Sequence, residues 1–197
     1  MVDAATVHPW MAAHALRRGI NHLAVLTTLL LVRHGETDWN AEGRLQGHTD
    51  RPLNDYGRRQ ATTLADRLAG EGITAVYSSD LARARETAEI LAERLGLPVV
   101  TDPDLRERNW GNWEGLTGTE RDRVEYVGEG KDAHGERVLR AVRQIAELHP
   151  GERVVVVTHG GSLRRVQVAA YGMALPVVEN CSVWAVAHED GTFRSIE

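Results

Sequence analysis

The chain has 197 residues, 42% of them hydrophobic, with a formal charge of -5 and an isoelectric point near 6.0. That length fits one compact domain with a real core, and that charge excludes the basic face of a nucleic-acid binder, so an anionic ligand must be held by local positive charge. A single cysteine, Cys181, excludes an intrachain disulfide framework and a cysteine zinc cluster and suits a reducing cytoplasm.

Residues 1–27 carry only a weak helical pattern (Trp10, Ala13, Leu16, then Gly19) and are read as an N-terminal extension without a catalytic role. Arg17 and Arg18 precede an apolar run, but Leu23 to Val32 is far shorter than the ~20 residues of a membrane span, and cleavage after it would cut into Arg33-His34. The run is therefore a core strand, Leu29 to Val32, with no membrane role. Asp55 to Leu68 follows as a helix with Ala61, Leu64, Ala65 and Leu68 on one stripe.

A second strand, Thr74 to Tyr77, leads through Ser78-Ser79-Asp80 into a helix with apolar positions at Leu81, Ala84, Ala88, Leu91 and Leu95, closed by Gly96. Val99-Val100 is a short third strand, and Lys131 to Leu148 is an amphipathic helix that stops at Pro150-Gly151. Val154 to Val157 is a buried strand running into Gly160-Gly161 and a helix to about Tyr171. Ser182 to His188 and Thr192 to Ile196, joined across Asp190-Gly191, form a closing hairpin whose edge would let two copies pair as a homodimer. Strands alternating with helices predict a single α/β domain over 28–197, a three-layer α/β/α sandwich with a mostly parallel central sheet.

Three of these strands end alike. Val32 runs into Arg33-His34-Gly35, Tyr77 into Ser78-Ser79-Asp80 with Arg83 beyond, and Val157 into Thr158-His159-Gly160-Gly161. Parallel strands deliver the loops at their carboxyl ends to one rim, where helix N-termini also point, so two histidines and two arginines converge by topology. Gly35, Gly160 and Gly161 allow close backbone approach and would leave N–H groups free for phosphate oxygens. A metal site built from His34, His159 and Glu107 is the competing reading of these residue types, and two arginines in the same pocket would repel the cation.

The run Arg33-His34-Gly35-Glu36-Thr37-Asp38-Trp39-Asn40, with Gly43-Arg44-Leu45-Gln46-Gly47, Asp50-Arg51-Pro52-Leu53, Ser78 to Ala84, Glu86-Thr87-Ala88, Leu105-Arg106-Glu107, Gly111 to Gly115 and Thr158 to Gly161, resembles the histidine phosphatase superfamily, the phosphoglycerate-mutase-like group. The resemblance covers about Thr28 to Glu197 in order and spacing. It implies a phosphoglycerate-mutase-like fold and a metal-independent, cofactor-free hydrolysis of a small phosphorylated substrate in two steps, His34 taking the phosphoryl group and water releasing it.

The chemistry needs these residue types. A nucleophilic imidazole must be neutral at the attacking nitrogen, which two adjacent guanidinium groups, Arg33 and Arg83, favour while drawing in the dianion. Arginine stays charged and offers forked donors to the nonbridging oxygens. His159 matches the family's second histidine, cationic or at least a donor to the phosphoryl oxygen, and Glu107 matches the general acid, which protonates the departing oxygen and then takes a proton from water. Asn40, Gln46, Gly47 and Gly160 match positions lining the phosphate pocket. Trp39, Trp110 and Trp113 read equally as substrate walls or as packing, and His48 and His188 carry no assigned role.

Around 117–131 the chain departs from the pattern. Few residues separate Glu120 from Gly128-Glu129-Gly130, where relatives carry a longer lid and a serine at the third position. A short lid implies a more open site, weaker discrimination between substrates and easy entry of water. That disfavours a phosphoglycerate mutase, which must shield its phosphohistidine from water. The other alternative is a weakly active phosphate-binding module that kept the pocket.

Overall fold

The computed structural model describes residues 26–173 and 178–196. The N-terminal extension, up to residue 25, lies outside the described residues. Six strands form one sheet in the order β3-β2-β4-β1-β5-β6, where β1 is Thr27–Arg33, β2 Ile73–Ser78, β3 Val99–Thr101, β4 Arg153–Thr158, β5 Val183–Glu189 and β6 Thr192–Ser195. The first four are mutually parallel, β5 runs antiparallel to β1, and β6, antiparallel to β5, points the same way as the first four.

Alternation along the strands builds the layers. Leu30, Val32, Val76, Val155 and Val157 face one way, onto Ala61, Leu64, Ala65 and Leu68 of α2 (Asp55–Leu68) and Ala84, Ala88, Leu91 and Ala92 of α3 (Ala82–Leu95). Leu29, Leu31, Tyr77, Val154 and Val156 face the other, onto Val138, Ala141, Val142 and Ile145 of α5 (Lys131–Leu148) and Leu163 and Val166 of α6 (Gly160–Tyr171). Two short helices, α1 (Asp38–Ala41) and α4 (Gly118–Arg121), sit in connections above the sheet. The three-layer sandwich expected from the pattern is what forms.

Local chemistry sets the boundaries. The Asn54 side chain accepts the Gly57 N–H to start α2, and Gly96, with φ of 67°, closes α3 in the left-handed region. In the parallel register Arg33 lies opposite Thr158 and Ser78 opposite Val157, so the three motif-bearing loops leave the sheet at one level.

Candidate active site

The rim of the sheet carries a cavity of about 190 Å³ lined by Arg33, His34, Asn40, Gln46, Gly47, Arg83, Glu107 and Gly160, together with Arg44, Leu45 and Trp110. Every expected site residue except His159 borders it. His159 lies directly behind, fully buried, its ring centroid 5.1 Å from that of His34.

His34 is placed by backbone bonds on both sides. Its N–H donates to the Thr158 carbonyl at 3.0 Å, and its own carbonyl accepts the Asn180 amide at 2.9 Å. Its Nδ1 lies 2.7 Å from the Gly35 carbonyl, which can only accept, so the ring proton resides on Nδ1 and the lone pair on Nε2. The imidazole is held well below its usual pKa, first by burial, then by repulsion from Arg83 and Arg33. The guanidinium groups act as expected in sign, yet burial is the larger cause.

Arg83 is 1% exposed, held by the carbonyls of Gly47 at 2.7 Å and Thr49 at 3.2 Å. Burial lowers its pKa to about 10, leaving it charged at neutral pH, and its Nε has no partner among the described residues. Arg33, half-buried, donates to the Val178 carbonyl and likewise keeps an Nε without a partner among the described residues, its pKa lowered chiefly by burial. Two guanidinium groups with unmade hydrogen bonds at one cavity have the chemistry to hold an anion.

Glu107 stands at the start of α6. Its Oε1 accepts the Arg108 N–H and its Oε2 the Gly161 N–H, both at 2.8 Å. This corrects the expectation that Gly161 would offer a free N–H to phosphate. The amide serves the carboxylate, and a side chain at Gly161 would put Cβ 2.2 Å from Glu107 Oε1. The Gly35 N–H is also engaged, by Thr87 Oγ1 at 3.0 Å. Gly47, with φ of 53°, contributes the carbonyl that holds Arg83, and a Cβ there would strike Glu114.

Of the two forms expected for His159, cation or neutral donor, burial, followed by Arg83, His34, Arg33 and His134, favours the neutral one by holding the imidazole well below its usual pKa. Neither ring nitrogen has a partner among the described residues, so a neutral ring keeps its one N–H for a ligand. Asn40 spends Oδ1 on the Thr37 N–H and hydroxyl and on the Asn180 amide, which leaves its amide donors for the cavity; the Gln46 Oε1 is buried without a partner among the described residues.

Of the tryptophans, Trp110 lines the cavity, while Trp113 stacks on it at 6.2 Å and Trp39 packs against Arg51. None of residues 117–131 borders the cavity; Val124 and Tyr126 bond back to Trp113 and Asn109, and Glu129 pairs with Arg137 at 2.9 Å. Sequence reasoning missed the supports: His48, whose ring reaches the Glu107 carbonyl at 2.9 Å; Arg137, which binds the carbonyls of Asp104, Arg106 and Glu107; and Asn180. These partners lie far apart in sequence, and no local spacing connects them.

The sequence profile of the histidine phosphatase superfamily (branch 1) matches residues 29–196. The chain is 46% identical over 190 residues to phosphoglycerate mutase-like protein 4 of Arabidopsis thaliana, covering 86% of this chain and 83% of that one. It is 41% identical over 181 residues to the metal-independent phosphoserine phosphatase of the same plant, covering 81% and 76%. Among solved structures, Bacillus stearothermophilus YhfR superposes with a TM-score of 0.79 at 36% identity, over 85% of this chain and 94% of that one.

Proposed function

The chain belongs to the histidine phosphatase superfamily, and from that premise we propose that it hydrolyses phosphomonoesters through a phosphohistidine formed on His34. The observation that carries the assignment to His34 is the Nδ1 contact with the Gly35 carbonyl, which leaves a neutral Nε2 lone pair at a cavity bordered by Arg33 and Arg83. In the first step Nε2 attacks phosphorus and the ester P–O bond breaks. Its electron pair passes to the departing oxygen, which takes the Glu107 proton. In the second step Glu107, now a carboxylate, takes a proton from water as the oxygen attacks and the N–P bond breaks.

Arg33, Arg83 and the His159 N–H stabilise the three equatorial oxygens, where charge is spread in the transition state. Asn40, Gln46, Gly47 and Gly160 complete the phosphate pocket. Hydrolysis rather than mutase chemistry is supported by the short segment 117–131, none of whose residues lines the cavity.

The reaction is assigned to the single domain over 28–197, with residues 1–27 supplying no catalytic group. A cytoplasmic setting fits the buried thiol of Cys181, pushed up to about 12 by burial, and no described helix is long and apolar enough to cross a membrane. Homodimer formation is assigned to β6, which ends the sheet.

The test is phosphate release from a panel of phosphomonoesters with chelator present, comparing the unaltered protein with His34→Ala. Release that survives chelation and is lost in the variant is expected, as is acid-labile, alkali-stable label on the unaltered protein after quenching with radiolabelled ester. Loss of activity on chelation, restored by a divalent ion, would overturn the mechanism.

A further inference from the structure

We propose that His134 is a positioning residue for the general acid, its Nε2–H, held on Ser162, presenting a dipole that steadies the Glu107 carboxylate formed when the proton leaves. The inference rests on the reading of Glu107 as that acid. His134 lies on α5, 1% exposed, one turn before Arg137. Its Nε2 is 3.0 Å from Ser162 Oγ and 3.8 Å from Glu107 Oε1.

The tautomer follows from the serine. The Ser162 hydroxyl donates its one proton to the Arg106 carbonyl at 3.1 Å, so Oγ accepts from His134 and the ring proton is on Nε2. The N–H is given to the serine oxygen, and the glutamate oxygen lies 3.8 Å from the same nitrogen, near enough to feel its dipole and too far to share its hydrogen bond. Arg137, on the same helix, binds the carbonyls of Asp104, Arg106 and Glu107 at 2.8, 3.1 and 3.3 Å. One helix thus grips the backbone of the acid with an arginine and faces its side chain with a histidine.

The ring has to be uncharged for this role. An imidazolium 3.8 Å from Glu107 would hold it as a carboxylate and prevent it from entering the reaction with a proton. Burial pushes His134 below its usual pKa, outweighing the upward pull of Glu107; Arg137 and Arg165 add to the lowering and Glu129 opposes it. A neutral N–H gives the departing proton's carboxylate a dipole to face, and His134 itself neither gains nor loses a proton.

The experiment compares kcat/KM on a simple alkyl phosphate, whose leaving oxygen needs a proton, with kcat/KM on p-nitrophenyl phosphate, whose leaving group does not. His134→Leu fills the volume and removes the donor, His134→Asn keeps a polar side chain that falls short of the Nε2 position, and His134→Gln restores an N–H near it. Glu107→Gln is the reference. The expected result is about a tenfold loss on the alkyl ester in H134L and H134N, a fraction of the ~100-fold to ~10,000-fold typical of general acid–base catalysis. Little loss is expected on the nitrophenyl ester, with most of the alkyl rate returned by H134Q. The double variant H134N/E107Q should be no slower than E107Q alone.

Equal losses on both esters, or none, in either His134 variant that folds would overturn the proposal while E107Q still discriminates between the esters. If E107Q itself fails to discriminate, the assignment of Glu107 as the acid falls first and the role of His134 with it.

Discussion

Glu107 Oε2 accepts the backbone N–H of Gly161 at 2.8 Å, which ties the carboxylate to the first turn of the helix that His159 caps. Glu107 and His159 are therefore fixed by one helix start, and room for the carboxyl depends on the missing side chain at 161. Gly161→Ala should push the carboxyl aside and lower kcat by about 100-fold, the lower end of the range for lost general acid catalysis. The inhibition constant for inorganic phosphate should change little, since Arg33 and Arg83 are untouched. An unchanged kcat would show that the carboxyl need not sit where Gly161 holds it.

Arg83 presents a fork fixed by two carbonyls, a geometry that an ammonium group does not reproduce. Arg83→Lys should reduce kcat/KM by ~100-fold to ~1000-fold, as for removal of one donor from an anion-stabilising site, with the fold intact by circular dichroism. A loss below about tenfold would assign the charge, rather than the fork, to catalysis.

His34 and His159 have a consequence for stability. In the unfolded chain each takes up a proton near pH 6.5, whereas burial opposes this in the folded protein. Below that value the unfolded state binds more protons, so stability falls as pH drops through about 6.5, by up to ~1.4 kcal/mol per pH unit for each ring. Urea unfolding from about pH 7.5 to about 5.5 should show this slope, and His159→Gln should show a shallower one. Parallel slopes would mean that His159 titrates in the folded protein.

A hydrolase and a mutase part on one substrate. With 3-phosphoglycerate and its bisphosphate primer, glycerate and free phosphate should accumulate without the 2-phospho isomer. Isomer without free phosphate would assign the chain to mutase chemistry and require residues 117–131 to close over the cavity in the complex.

The sheet and its rim were legible because they follow from period and topology. Leu29 to Val32 and Val154 to Val157 read as buried strands, and parallel strands with loops at their carboxyl ends can only bring Arg33, His34, Arg83 and His159 together. What the sequence did not carry was how deep each group lies and which polar atoms are already satisfied. Full burial pulls the His159 imidazole well below its usual pKa, and the N–H groups of Gly35 and Gly161 are occupied by Thr87 and Glu107. Such pairings join residues dozens of positions apart, where neither periodicity nor spacing gives a signal. His48 and His134, which no local pattern marks, reach the carbonyl and the carboxyl of Glu107 at 2.9 and 3.8 Å.

The carbonyl clamp on Arg83 also sets how much order a ligand has to impose. Because Gly47 and Thr49 fix the guanidinium before any ligand arrives, little ordering of that side chain is left to binding. Free orthophosphate should therefore compete with the ester for the cavity, and added phosphate should slow hydrolysis.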